Sequence, residues 1–495
     1  MSETCAKTIY GQVLGKKEGN VFTWKGIPYA KPPVGDRRFQ APVAPESWEG
    51  IREATHFGPI APQPEQEIMT FLGAERGNMS EDCLYLNVWS PGADERRRPV
   101  LVWIHGGAFI SGSGSASSYD GTSFAELGDV VVVTLNYRLG ILGFLHLGEI
   151  DRQAYATSGN NGMLDQIAAL KWVHDNIEFF GGDPERVTIF GESAGAMSVG
   201  TLLAMPEAKG LFHQAILQSG AARNTVTATQ ATQIAKKILK ALNIQGDELE
   251  KLSEVPLDQL IAASTLVPFM NLVPVVDGVS LPLNPEVAIT QGAAKDIPLL
   301  IGTNKDEYNL FTLFDPQFKN PDQETLTSLC EQVFGPLWTS LAPHFLKNEV
   351  LSTALFNKLM TRLIFDAPAT KLAEEQVKQG APVWMYRFDW ETPTLNGGLK
   401  ACHALEIPFV WNNLNQPGTS NLVGDPSEVQ GIANQLHQAW IAFAHHGNPN
   451  TPELPSWPAF ELENRATILV DLESQVVNDP EKESRLAWEK AMVIA

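Results

Sequence analysis

Four stretches in the first half of the chain are apolar almost without interruption: "PVLVWIHGG" from Pro99, "DVVVVTLNYR" from Asp129, "RVTIFGESAG" from Arg186 and "HQAILQSG" from His213. A strand with one wet face alternates, whereas a continuous run marks a strand covered on both faces, as in a parallel sheet between helices. Between the second and third runs lies "GMLDQIAALKWVHDNIEFF". Its Leu164, Ile167, Ala168, Val173 and Ile177 recur at roughly helical spacing and predict a helix of about five turns. A strand–helix–strand unit of this kind crosses over right-handed. "IPLLIGTNKDE" predicts a further strand near 297–302 and "PVWMYRFDW" another near 382–390. Residues 225–290 read as helical, most clearly in "TQIAKKILKALNI", and "EVQGIANQLHQAWIAFAHHG" reads as an amphipathic helix stopped by Gly447. The first fifty residues hold short alternating runs, "KTIYGQVLG" and "NVFTWKGIPYA", separated by Gly and Asn, which predict a β-ribbon.

The expected fold class is therefore α/β, with one large, mixed, mostly parallel sheet flanked by helices. A single domain over residues 1–495 is expected, with an N-terminal ribbon over about 1–50 and helical insertions over about 225–290 and 320–380.

Composition narrows the function. Lys and Arg number 36 against 57 Asp and Glu, a net charge of −21. That field disfavours nucleic acid and anionic membrane surfaces as partners. The basic run Glu95-Arg96-Arg97-Arg98 sits between turn signals and reads as a solvated loop. "MSETCAKTIYGQ" has neither a basic nor an apolar leader region, and no window holds 18 uncharged apolar residues, so a cytoplasmic protein without a membrane span is expected. Cys5, Cys83, Cys330 and Cys402 are few and distant, as reduced thiols are in the cytosol. Asn78-Met79-Ser80 fits a glycosylation sequon by chance. No His/Cys group has metal-ligand spacing, so neither metal nor organic cofactor is expected. A monomer is expected, with an oligomer as the alternative.

"TIFGESAGAMSVG" contains Gly191-Glu192-Ser193-Ala194-Gly195. An apolar strand precedes it and a small-residue helix follows, the context in which G-x-S-x-G exposes a nucleophilic serine on a tight turn. Only glycine fits positions 191 and 195 if neighbouring chain packs close. The helix beginning there aims free N–H groups and its positive dipole end at the site. Ester chemistry also needs donors for a carbonyl oxygen that turns negative. Ala194 follows the serine, and His105-Gly106-Gly107-Ala108 closes the "VLVWI" strand as a glycine-rich loop. The base should be a histidine late in the chain, after the acid. Of ten histidines, His437 lies inside a helix, His445 and His446 end it, and His344 has no acid–base context. His403 follows a predicted strand in a glycine-led loop, next to Cys402. "GTNKDEYN" offers Asp306 and Glu307 as acids, and spacing does not choose between them.

On these residues the chain resembles a known family: the type-B carboxylesterases of the cholinesterase-like α/β-hydrolase group, in particular bacterial carboxylesterases and para-nitrobenzyl esterases. "GIPYAKPPVGDRRFQAP", "SEDCLYLNVWSP", "WIHGGAFISGSG", "IFGESAGA", "IGTNKDE" and "CHALEIPFVW" carry the resemblance across nearly the whole chain. It implies Ser193 as nucleophile, Glu307 as acid and His403 as base, with oxyanion donors at Gly107, Ala108 and Ala194 beside Gly106. It also implies supporting roles for Ser219 and Glu406, and structural ion pairs Arg38–Glu81 and Arg138–Asp165. The upstream cysteine that pairs with the "SEDC" cysteine in animal members is missing, so Cys83 is expected free. The choline-binding and acyl-pocket tryptophans of the cholinesterases are missing too, which argues against choline esters. Phe269, Met270 and Leu272 are expected to line a roomier acyl pocket. The reading is a serine carboxylesterase acting on small-molecule esters with small to medium acyl or aryl groups. A lipase-like hydrolase and a non-catalytic interaction module are the alternatives. Cys402, beside the imidazole, is expected to lie near the pocket within reach of thiol reagents.

Overall fold

The apolar runs become the middle of an eleven-stranded sheet in the computed structural model, which describes residues 3–73, 77–268, 270–346 and 350–494. In chain order its strands are β1 Lys16–Glu18, β2 Val21–Pro28, β3 Tyr85–Ser90, β4 Arg98–Ile104, β5 Val131–Leu135, β6 Gly182–Glu192, β7 Gln214–Gln218, β8 Leu299–Asn304, β9 Val383–Phe388, β10 Ala466–Val470 and β11 Gln475–Asn478. Across the sheet they run β11-β10-β9-β8-β7-β6-β4-β5-β3-β2-β1. From β10 to β5 every neighbouring pair is parallel. The two margins are antiparallel.

Strands β4, β5 and β8 are buried at every position. The reason is a core on each face. Val100, Val102 and Ile104 enter one cluster while Leu101 and Trp103, from the same strand, enter the other. Alternation persists in direction, but both directions are apolar. A third cluster, with Leu326, Cys330, Phe334, Trp338 and Phe356, packs the 320–380 helices against Trp488 of the last helix, Lys482–Ile494.

Helix α1 (Asn161–Asn176) continues as a 3₁₀ turn, Ile177–Phe180, and α2 (Ala194–Leu202) follows β6. Helix α3 (Pro426–His446) starts at Asp425, whose carboxylate accepts from Ser427 N–H, and ends where Gly447 turns left-handed at φ 65°. The 225–290 stretch holds Ala228–Ala241, Leu257–Ser264 and Pro285–Thr290. The later stretch holds four helices with a π turn at Arg362–Asp366.

Two details differ from expectation. The N-terminal strands do not form one ribbon: Cys5–Lys7, Gln12–Leu14 and Ile51–Glu53 make a small separate sheet, while β1 and β2 extend the central one. The run Glu95–Arg98 is the expected exposed loop through Arg97, and only Arg98 departs from that reading. Arg98 is buried as the first residue of β4 and paired with Asp94 and Asp129, and Arg97 bridges Glu178 and Asp183. With Arg96 beside Asp129 as well, all three arginines face carboxylates that offset the charge the sequence displays.

The connection order fixes where a site can form. Leaving β4 the chain passes to β5 on one side, then returns through α1 to β6 on the other. The loops after β4 and β6 therefore part at the carboxyl end of the sheet, leaving the crevice in which open α/β sheets bind ligands.

Candidate active site

Ser193 stands in that crevice, between β6 and α2, with φ 56° and ψ −124°. A non-glycine residue there is strained, and close packing holds it. A Cβ on Gly191 would lie 2.6 Å from the Ile104 carbonyl oxygen, and one on Gly195 would overlap that same oxygen. This is the physical reason for the two glycines of the motif: the end of β4 passes directly beneath the turn. Ser193 N–H donates to Gln218 O at 2.8 Å, fixing the turn to β7.

The loop after β4 comes equally close. A Cβ on Gly106 would lie 2.8 Å from Glu192 O and 3.2 Å from Ser193 Cβ. Gly107 (φ 105°) and Ala108 (φ 56°) turn left-handed in succession, and the Gly107 carbonyl accepts from Ile110 and Ser111 N–H. Ala194, as the first residue of α2, has an amide without a helical partner. His105 stays inside the fold: it stacks on Tyr137, and burial pushes its imidazole down to about 4.

Glu307 and His403 meet from two other loops. His403 Nδ1 lies 2.6 Å from Glu307 Oε2, and His403 N–H donates to Glu307 O. Asn304 N–H donates to the other carboxylate oxygen, Oε1, at 2.7 Å. Asp306 faces elsewhere, into a separate polar cavity beside Lys400. The carboxylate on the imidazole is thus Glu307, the alternative that sequence spacing left open. Phe365 and Phe311 pack against the ring, with centroids 4.8 and 5.2 Å away.

Gly106, Gly107, Ala108, Glu192, Ser193 and His403 line one cavity of about 420 Å³, whose walls are mainly apolar. Met69, Met197, Met270 and Met360 contribute to those walls. No hydrogen bond joins Ser193 to His403 among the described residues. Instead His403 Nε2 lies 3.1 Å from Glu192 Oε1, close in distance but not aligned as a hydrogen bond.

Three buried carboxylates, Glu192, Glu307 and Glu406, surround this imidazole. Burial pushes Glu192 up to about 8, with His403 opposing and Glu406 and Glu307 adding to the rise. Burial works against a charged His403, but Glu192 and Glu307 outweigh it and hold the imidazole above its ordinary range. Glu192 and His403 therefore titrate as a coupled pair, each one's charge favouring the charged form of the other.

Comparison with known proteins decides what such a site belongs to. The sequence profile of the carboxylesterase family matches residues 2–488. The chain belongs to the carboxylesterase family. It is 46% identical to the para-nitrobenzyl esterase of Bacillus subtilis (strain 168), over 98% of each chain. It is 36% identical to the phenmedipham hydrolase of Pseudarthrobacter oxydans, over 96% of each. A crystal structure of a Geobacillus stearothermophilus carboxylesterase superposes with a TM-score of 0.90 at 47% identity, covering 98% of this chain and all of that one. The fold is that of the α/β-hydrolases, and the protein is a carboxylic ester hydrolase.

The other expected residues of this carboxylesterase fall unevenly. Met270 lines the cavity. Leu272 does not: it is buried in the core beneath the sheet, so its expected pocket role is withdrawn. Phe269 lies outside the described residues. Ser219 is buried at φ 54°, and its hydroxyl has no hydrogen-bond partner, so it does not steady the imidazole by a bond. Glu406 does not bond the ring but accepts from Gln218 at 3.1 Å and Asn304 at 2.6 Å. Cys402 is fully buried in the other core cluster, and burial raises its thiol pKa, so it is not the accessible thiol that adjacency suggested. Cys83 is free, as are the other three cysteines. Both ion pairs form, Arg38–Glu81 at 2.5 Å and Arg138–Asp165 at 2.7 Å. Sequence reading passed over Glu192, a mere spacer in the motif, and Asn304, one residue of "GTNKDE". Among the described residues no helix is long and apolar enough to cross a membrane, and no His/Cys/Asp/Glu group is placed to hold a metal ion.

Proposed function

We propose that this carboxylesterase hydrolyses its ester through an acyl-enzyme on Ser193, with His403 as general base and Glu307 as the acid that orients it. The observation that carries this reading is the 2.6 Å contact of Glu307 on His403 Nδ1, which leaves Nε2 turned into the cavity that Ser193 lines. His403 Nε2 takes the Ser193 proton as Oγ attacks the ester carbon. The carbonyl oxygen becomes negative and receives the amides of Gly107, Ala108 and Ala194, each worth about 3–4 kcal/mol in such a site. His403 passes the proton to the leaving alcohol. Water, deprotonated in turn by His403, then attacks the acyl carbon, and the acid leaves with Ser193 restored. Glu307 orients His403 and stabilises the imidazolium. No step requires a metal or an organic cofactor.

The substrate is a small neutral ester with a small to medium acyl or aryl group. The apolar walls reward desolvated hydrocarbon, and four methionines adapt to irregular shapes. Similarity to a para-nitrobenzyl esterase supports aryl-bearing esters. A net charge of −21 supports an enzyme that binds neither nucleic acid nor anionic lipid.

Rates over p-nitrophenyl esters of graded acyl length test this. Turnover is expected to peak at short to medium chains below the solubility limit; activity that appears only on aggregated long-chain esters would overturn it. Ser193→Ala is expected to lose roughly 10⁴- to 10⁶-fold in kcat with an unchanged unfolding midpoint. A mutant of comparable activity would remove the assignment.

A further inference from the structure

Asn304, the last residue of β8, is 1% exposed and uses all three of its N–H donors on the catalytic loops. Its backbone N–H holds Glu307 Oε1 at 2.7 Å. Its side-chain amide donates to Cys402 O at 2.7 Å and to Glu406 Oε2 at 2.6 Å. Cys402 O belongs to the peptide that carries His403, so this bond sets the pivot of the imidazole. Glu406 is completely buried, and its other oxygen is held by Gln218 Nε2. Gln218 in turn accepts from Trp440 of α3, and its backbone carbonyl holds the Ser193 amide. One chain of bonds therefore runs from the nucleophile turn through Gln218, Glu406 and Asn304 to the acid and the base.

We propose that Asn304 is a positioning residue for ester hydrolysis: a single amide that locks the Glu307 loop to the His403 loop and keeps Glu406 hydrogen-bonded between them. This rests on the reading of Glu307 and His403 as acid and base. The chemistry at position 304 is specific. Asp has the same shape but no side-chain donors, Ser has one, and Ala has none, whereas two acceptors must be served at once. An unserved carboxylate or carbonyl buried at this depth costs more than a missing bond, because water cannot replace the donor. The loops would shift instead, and a displacement of about 1 Å at the reacting groups costs on the order of 10²-fold in rate.

Asn304→Asp keeps the volume and removes both donors. Expected is a fall in kcat of about 10²-fold with KM within about twofold. The decisive arm is Asn304→Asp combined with Glu406→Gln. The new amide at 406 can donate to the new carboxylate at 304, so the bond is rebuilt with its polarity reversed, and kcat is expected to recover about tenfold over Asn304→Asp alone. A residue that merely filled space would show no such recovery. Glu406→Gln alone covers the case in which Asn304→Asp does not fold. Both partners of Glu406 are donors, so a glutamine there must set its NH₂ against one of them, and kcat is expected to fall. Full kcat in Asn304→Asp or in Glu406→Gln overturns the proposal, as does a double variant as slow as the product of the single ones. Ser193→Ala, measured alongside, separates the two levels: if it is dead while the Asn304 variants are fully active, the lock fails and the catalytic reading stands.

Discussion

Glu192 is the carboxylate beside His403 Nε2, the nitrogen that accepts a proton in the proposed mechanism. At 3.1 Å it favours the imidazolium, and the base works only as the neutral ring. Removing that charge lowers the pKa of His403, so the neutral form persists to lower pH. Glu192→Gln is therefore expected to move the acid limb of kcat/KM downward by about one pH unit or more. A limb that stays in place or moves upward would mean that the pair does not titrate together. Cys402 gives the opposite lesson about adjacency. Next to His403 in sequence, it points into the aromatic and aliphatic core on the far face of the sheet. Iodoacetamide is expected to leave native activity intact and to reach Cys402 only after denaturation, while the half-buried Cys5 reacts first. Inactivation of the wild type that spares Cys402→Ala would refute this. The residues proposed to touch bonds in the reaction were legible because chemistry restricts their type. Glu192 and Asn304 were not, because a carboxylate or an amide in a loop is ordinary until its burial and partners are seen.

The turn between β6 and α2 shows how an element is specified by its neighbour. Glycine at 195 is required by the Ile104 carbonyl below it, not by its own backbone angles. Gly195→Ala forces the end of β4 away from the nucleophile turn, and the Gly106–Ala108 loop begins at that same end. Expected is a loss of kcat on the order of 10²-fold or more together with a lower unfolding midpoint. Wild-type kcat and midpoint would show that the two strands tolerate separation. The middle strands could be read from sequence because both faces are apolar, and α1 and α3 because their stripes are long. Strand β3 was obscured by Asn87, a buried polar residue whose amide donates to Thr134 Oγ1 on β5 and interrupts the apolar run. Strand β11, an edge with no buried position, carries no pattern at all. The ribbon was misplaced because alternation gives a strand's faces but not its partner, and β2 finds β3 some sixty residues on.

Across the whole molecule, charge is distributed in two ways with different consequences. The surplus of acidic groups lies in solvent, where pairs such as Lys17–Glu3, 44% and 80% exposed, contribute at most about 1 kcal/mol and weaken with salt. Arg138–Asp165, 2% and 0% exposed, is the contrary case. Two guanidinium nitrogens and the Arg138 backbone N–H all end on Asp165 of α1, and the remaining nitrogen donates to Gln40 O. The pair joins the loop after β5, helix α1 and the N-terminal segment at one dry point. Its net value against an apolar pair is small, but half of it is untenable, because a lone buried guanidinium has no water to turn to. Asp165→Asn is therefore expected to cost about 3–5 kcal/mol in denaturant unfolding, nearly the same at low and high salt. Glu3→Gln is expected to change stability by less than about 1 kcal/mol. Replacing Arg138 and Asp165 together by apolar residues of similar volume should recover much of the loss. A double variant as unstable as Asp165→Asn would show that the three segments depend on the ion pair itself and not on the absence of an unpaired charge.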